Sequence, residues 1–176
     1  LPSSASYVNA SDVTSKSTSV QAPESAKAFV TAVWPHAVEA SRSTGIPPQF
    51  LVAHAALESG WGKQEIRRPD GSSSHNLFGI KAGKSWTGEA VAAATTEYVN
   101  GQPVSLTEPF RAYADSFRDY ANMLRSNPRY GGVIGSQSGT EFAARLQQAG
   151  YATDPMYADK LSKIINGPTL RQALIG

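Results

Sequence analysis

The sequence predicts an α+β fold: a mostly helical lobe joined to a small β-hairpin lobe. Two observations carry this. Apolar residues recur at three- and four-residue spacing before residue 60 and again after residue 115, the stripe of amphipathic helices. Between them lie strand-like runs joined by Asn100-Gly101, a pair that accepts positive φ and favours a hairpin turn. Helices flanking a single hairpin, with no internal repeat, belong to the α+β class.

Composition narrows the function classes. The chain has 176 residues and no cysteine. That length suits one domain, and the missing cysteine excludes disulfide scaffolds, thiolate zinc sites and cysteine nucleophiles. With 16 Lys+Arg against 14 Asp+Glu the net charge is +2, too small to point to a nucleic-acid partner. No apolar run approaches the roughly 20 residues that span a bilayer, so a soluble protein is expected.

Residues 1–26 hold eight serines and follow no helical or strand period, so they read as a flexible linker. They show neither a basic nor an apolar signal-peptide region, and such an opening suits a piece cut from a longer chain. The folded domain is expected over 27–176. In its first helix Phe29, Val30, Val33, Ala37 and Val38 share a face. Pro35 should kink or split that helix after Trp34, and Gly45 should end it. Pro47-Pro48 starts a second helix, QFLVAHAALES, apolar almost all round and therefore buried. A polar loop over 63–74 precedes three strand-like runs, 75–83, 84–99 and 104–113. Asp115 is the expected cap of a helix with Phe117, Tyr120, Met123 and Leu124 on one face, broken by Pro128. Thr140 should cap the next helix, and Asp154-Pro155 should open the last, with Tyr157, Leu161, Ile164 and Ile165 inward.

Glu58 does not fit its surroundings. It ends the most apolar helix, and its neighbours at three and four residues are His54, Ala55, Trp61 and Gly62, none of them Lys or Arg. Apolar packing and the negative end of the helix dipole both favour a neutral carboxylic acid there, the state a general acid needs. The plainer alternative is a solvated edge, or a charge neutralised by Lys63 or a distant Arg. Glu97 lies near the hairpin tip, and a carboxylate there facing a buried one is the layout of a glycosidase cleft. A solvent-facing strand Glu is its plainer reading. His54 and Glu58 lie one helical turn apart but lack a third metal ligand nearby, so a packed, hydrogen-bonded His54 is expected instead. Ser59 lacks the nucleophile elbow of serine hydrolases. Trp61, Phe78, Trp86, Tyr113, Tyr130, Tyr151 and Tyr157 sit near loops, where aromatics stack on sugars or pack the core.

Together the segments AALESGWG (55–62), NLFGIK (76–81), the hairpin with Glu97, FRAY (110–113) and GYATDPMYADKL (150–161) resemble glycoside hydrolase family 73, N-acetylglucosaminidases that cut peptidoglycan. The likeness runs from about Phe29 to Ile165 and is strongest to flagellar members of the family. It implies a lysozyme-like fold with a substrate groove between the lobes. It also implies Glu58 as general acid, Glu97 as second carboxylate and Tyr151 as a residue near the cleaved bond. Trp61, Asn76, Phe78, Trp86, Tyr113 and Tyr157 are the expected substrate contacts. Family members often have Asn before NLFG; His75 stands there, which would place it at the cleft floor.

The function so implied is hydrolysis of the β-1,4 bond between N-acetylglucosamine and N-acetylmuramic acid. Glu97 would activate water or steady positive charge while the substrate's acetamido group attacks. The alternatives are a lytic transglycosylase and a non-catalytic wall-binding module. No metal or organic cofactor is implied. Peptidoglycan strands are the expected partner, with flagellar rod proteins reached through a preceding region. A monomer in the periplasm or at the cell wall is expected.

Overall fold

The computed structural model describes residues 23–112 and 116–175. Residues 1–22 of the linker expected over 1–26, the expected substrate contact Tyr113 and the expected cap Asp115 lie outside them. Helix α1 spans Glu24–Thr44, so the boundary expected after Ala26 falls inside a helix, and Ala26 is itself buried.

Helix α1 also runs unbroken through Pro35, where a kink or split was expected. A proline deprives the carbonyl four residues earlier of its N–H partner. Here that carbonyl belongs to Thr31, and both Thr31 and Pro35 are exposed, so the carbonyl is open to solvent rather than buried without a partner. The helix stops as predicted at Gly45, left-handed at φ 68°.

Helix α2 (Pro48–Ser59) starts on a proline that needs no N–H partner, and every residue from Phe50 to Ser59 is buried. It packs against α1 and against α5 (Tyr157–Ile165). At its C-terminus Gly60, Trp61 and Gly62 are all left-handed, turning the chain sharply past Phe29. Ser59 tightens that end by donating to the Ala55 carbonyl and accepting from the Gly62 amide. Helices α3 (Ser116–Ser126), α4 (Gly139–Gln148) and α5 complete the helical lobe as expected, with a 3₁₀ turn at Pro128–Tyr130. Two details differ. Ser138 caps α4 in place of Thr140, its hydroxyl accepting from the Glu141 amide. A further helix, α6 (Pro168–Ile175), follows Gly167 and buries Leu170 and Ala173 against α1.

Strands β1 (Ala90–Val99) and β2 (Gln102–Arg111) form one antiparallel hairpin, with Glu97 opposite Val104 and Thr95 opposite Leu106. Asn100 and Gly101 both have positive φ, as the predicted two-residue turn requires. The runs 75–83 and 84–89 are not strands; a single bridge joins Lys81 to Phe110. The cause is Asn76. Its amide carbonyl accepts from the Ile80 amide at 3.1 Å, while its NH₂ donates to the carbonyls of Ile80 and Arg111 at 2.8 and 2.9 Å. Those bonds take the backbone groups that a ladder would use. The architecture, a helical lobe with a hairpin lobe, is lysozyme-like.

Candidate active site

Glu58 sits in the last turn of α2 with its side chain 2% exposed. The Tyr157 hydroxyl hydrogen-bonds its Oε2. That hydroxyl also lies 2.5 Å from His54 Nε2, and His54 Nδ1 lies 2.7 Å from the Tyr120 hydroxyl. Burial first, and then the Glu58 charge, hold both tyrosines well above the ordinary tyrosine pKa, so both remain protonated. No lysine or arginine forms an ion pair with Glu58 among the described residues. The plainer reading of a solvated or salt-bridged Glu58 therefore fails.

The other oxygen, Oε1, abuts Gly79. A Cβ built there would stand 3.1 Å from it, on a backbone with φ +63°. The glycine of NLFGIK thus has a physical cause: only a residue without a side chain lets the chain pass so close to the carboxyl. Just before it, the Phe78 carbonyl accepts from the Tyr151 hydroxyl at 2.7 Å. Tyr151, half-buried, also packs its ring 4.5 Å from that of His54. Arg129 donates to the Gly150 carbonyl at 2.7 Å and fixes the loop carrying Tyr151.

Glu97 is held across the gap between the lobes. Lys81 Nζ lies 2.6 Å from its Oε2, and the Thr153 hydroxyl donates to its Oε1 at 2.8 Å. The same hydroxyl accepts from the Tyr98 amide at 2.8 Å, so one threonine ties the hairpin to the loop after Tyr151. Burial works to raise the Glu97 pKa. The hydrogen bonds and charge of Lys81, with the Thr153 bond, outweigh it and leave the carboxyl below the usual glutamate value. Directly opposite residues of a hairpin share a face, so Val104 and Leu106, both exposed, stand beside Glu97 and Thr95.

Several expected substrate contacts serve the fold instead. Trp61 is buried edge-on against Phe29, and Phe78 stacks on Tyr120 at 3.8 Å. Asn76 is consumed by the backbone bonds above, and Tyr157 by Glu58 and His54. None of these four presents a free face to a sugar. Trp86 is half-buried, with the Arg111 guanidinium 4.6 Å over its ring. His75 is exposed and borders a depression with Ala32, His36 and Glu65, away from Glu58 and Glu97. Its φ of 57° explains an asparagine at this position by backbone preference, which histidine shares, rather than by cleft chemistry. Sequence reasoning did not single out Tyr120, Lys81, Thr153 or Gly79. Among the described residues no group of three or more His, Asp or Glu is arranged to hold a metal.

The family model described as mannosyl-glycoprotein endo-β-N-acetylglucosaminidase matches residues 34–170. The chain belongs to the glucosaminidase family, glycoside hydrolase family 73. As a member of that family it is a glycoside hydrolase. The peptidoglycan hydrolase FlgJ of Pseudomonas aeruginosa is 46% identical over 154 residues, covering 85% of this chain and 38% of that protein. A crystal structure of a peptidoglycan hydrolase mutant from Sphingomonas sp. A1 superposes with TM-score 0.83 at 55% identity, over 85% of this chain and 98% of that one. The C-terminally truncated glycoside hydrolase domain of Salmonella typhimurium FlgJ gives TM-score 0.66 at 42% identity, over 80% of this chain and 95% of that one. The chain spans less than half the length of the curated relatives it matches. Within this glucosaminidase domain, the matched region contains Glu58, Glu97 and Tyr151 together.

Proposed function

We propose that the domain hydrolyses the β-1,4 bond between N-acetylglucosamine and N-acetylmuramic acid in peptidoglycan. The observation that carries this reading is Glu58: a carboxyl buried on an apolar helix, with no lysine or arginine paired to it among the described residues and a tyrosine hydroxyl on one oxygen. A carboxyl so placed can present a proton to the leaving glycosidic oxygen. Glu97 is favoured in its ionised form by Lys81 and Thr153, and takes a proton from water or steadies positive charge at the anomeric centre. Tyr151 stands beside the Phe78-Gly79 backbone, next to the acid. The hairpin face carrying Glu97, Val104 and Leu106 offers an apolar strip for the sugar, with Trp86 and Tyr113 as further contacts. The names of the relatives support peptidoglycan as the substrate, and so a cell-wall or periplasmic location. The likeness to flagellar members extends the reading to local opening of the wall for a flagellar rod, with rod proteins as partners.

The test is digestion of purified peptidoglycan followed by mass spectrometry of the products. New reducing N-acetylglucosamine ends are expected, and Glu58→Gln should remove them while leaving the thermal midpoint almost unchanged. A 1,6-anhydromuramic end would identify a lytic transglycosylase. A reducing N-acetylmuramic acid end would overturn the bond assignment. Binding to insoluble wall without release of any sugar would leave a non-catalytic module.

A further inference from the structure

Behind Glu58 lies a buried chain of polar groups that bond cleavage does not itself require. It runs from Tyr120 of α3 through His54 of α2 and Tyr157 of α5 to Glu58 Oε2. Tyr120, His54 and Tyr157 are each no more than 1% exposed. The direction of its hydrogen bonds follows from counting protons. Among the described residues the Tyr120 hydroxyl has one hydrogen-bond partner, His54 Nδ1. A buried hydroxyl proton without an acceptor is costly, so Tyr120 donates and Nδ1 accepts. His54 must then carry its proton on Nε2 and donate it to the Tyr157 oxygen. Tyr157, with one proton to give, donates to Glu58 Oε2. The reverse direction, and a doubly protonated ring, both put a hydrogen on Nδ1 and leave the Tyr120 proton with nowhere to go.

We propose that Tyr120, His54 and Tyr157 are positioning residues, a one-way hydrogen-bond chain that fixes Glu58 Oε2 as an acceptor. When Glu58 acts as the acid, its proton is therefore carried on Oε1, the oxygen against Gly79, and that oxygen delivers it. The chain also locks the rotation of the carboxyl, because turning it over would break the bond from Tyr157. The titratable groups that face this carboxyl are His54 from its own helix, Tyr157 from α5, Tyr120 behind them on α3, and Tyr151 from the preceding loop; none is Lys or Arg. This inference rests on the proposed role of Glu58 as acid, but the chain itself can be read without any glycan.

The first measurement is the ring tautomer of His54 in the unmodified protein, by long-range proton–nitrogen correlation spectra. His54→Gln assigns its signals among the 3 histidines. A neutral ring with hydrogen on Nε2 is expected; hydrogen on Nδ1, or on both nitrogens, overturns the chain. The second measurement is kinetic. A glutamine at 54 can donate to Tyr157 and accept from Tyr120, so His54→Gln should keep kcat within about threefold, whereas His54→Leu should lower it about tenfold or more, the worth of about one lost hydrogen bond. Tyr157→Phe should likewise lower kcat about tenfold while KM stays within about twofold, because the interaction lies in proton delivery and not in glycan binding. Equal kcat for the glutamine and leucine variants, or a loss in KM alone, overturns the positioning role. The tautomer decides even where a variant does not fold. An inactive wild-type protein with the expected tautomer would sink the proposed function and leave the chain standing, while an active one with hydrogen on Nδ1 would do the reverse.

Discussion

Gly79 is where the geometry of the acid is set at a single position. Its φ of +63° is one that a side chain resists, and its Cβ position lies 3.1 Å from Glu58 Oε1. Gly79→Ala therefore acts twice. The left-handed backbone costs about 1–2 kcal/mol once a Cβ is present. The methyl group also presses on the oxygen that carries the proton, and that oxygen cannot yield by rotating without losing Tyr157. A misplacement approaching 1 Å at a reacting group costs about a hundredfold in rate. A loss of that size in kcat is expected on soluble glycan fragments, well beyond what the modest drop in unfolding midpoint explains. Full activity in Gly79→Ala would show that Oε1 does not face the reaction. The motif serine beside the acid is different in kind. Ser59 spends its hydroxyl on the Ala55 carbonyl and the Gly62 amide, so it shapes the turn that follows α2 rather than the chemistry.

At the scale of elements the hairpin is held at its base and near its tip by different means. The base is fixed by Arg111, whose Nη1 lies 3.0 and 3.1 Å from the two oxygens of Asp119 on α3. Near the tip the ties are Lys81 and Thr153, both meeting at Glu97. They give Glu97 a testable titration. Its carboxyl lies below the ordinary glutamate value because the bonds and charge of Lys81 and Thr153 overcome burial. Activity that needs ionised Glu97 is present above that value and is lost as pH falls through it. Lys81→Met removes the larger of the opposing contributions while burial persists, so the Glu97 pKa rises. The acid limb of kcat/KM, which reports groups of the free enzyme, should then move to higher pH. Thr153→Val should move it the same way by less. An acid limb unmoved by both substitutions would show that Glu97 is not the group titrating there.

For the molecule as a whole, what could be read in advance was what neighbours in sequence decide. Apolar spacing and glycine stops revealed the helices, and Asn100-Gly101 revealed the hairpin. An unpartnered carboxylate on an apolar helix drew attention to Glu58. The rest depends on pairings across long stretches of chain. His54 meets hydroxyls 66 and 103 residues away, and Thr153 meets Glu97 at 56, contacts that no local period encodes. The same holds for Asn76, whose bond to the Arg111 carbonyl spans 35 residues and undid the strand expected at 75–83. Pro35 misled for another reason, since its cost depends on which face of α1 meets water. The resulting division of the core has a consequence for dynamics. The main cluster gathers residues of α1 to α6 with Phe78 and Ile80, while β1 and β2 contribute nothing to it; their buried Val91 and Phe110 lie outside it. Local opening is least costly where few apolar contacts must break. Native-state hydrogen exchange should therefore find residues 94–107 opening first, and the α2 amides last, near the free energy of global unfolding. Thr153→Val should speed exchange at Tyr98, which loses the hydroxyl it donates to, and leave α2 unchanged. Equal protection of both lobes would mean that the hairpin opens only with the whole molecule, and that glycan must enter a site already shaped.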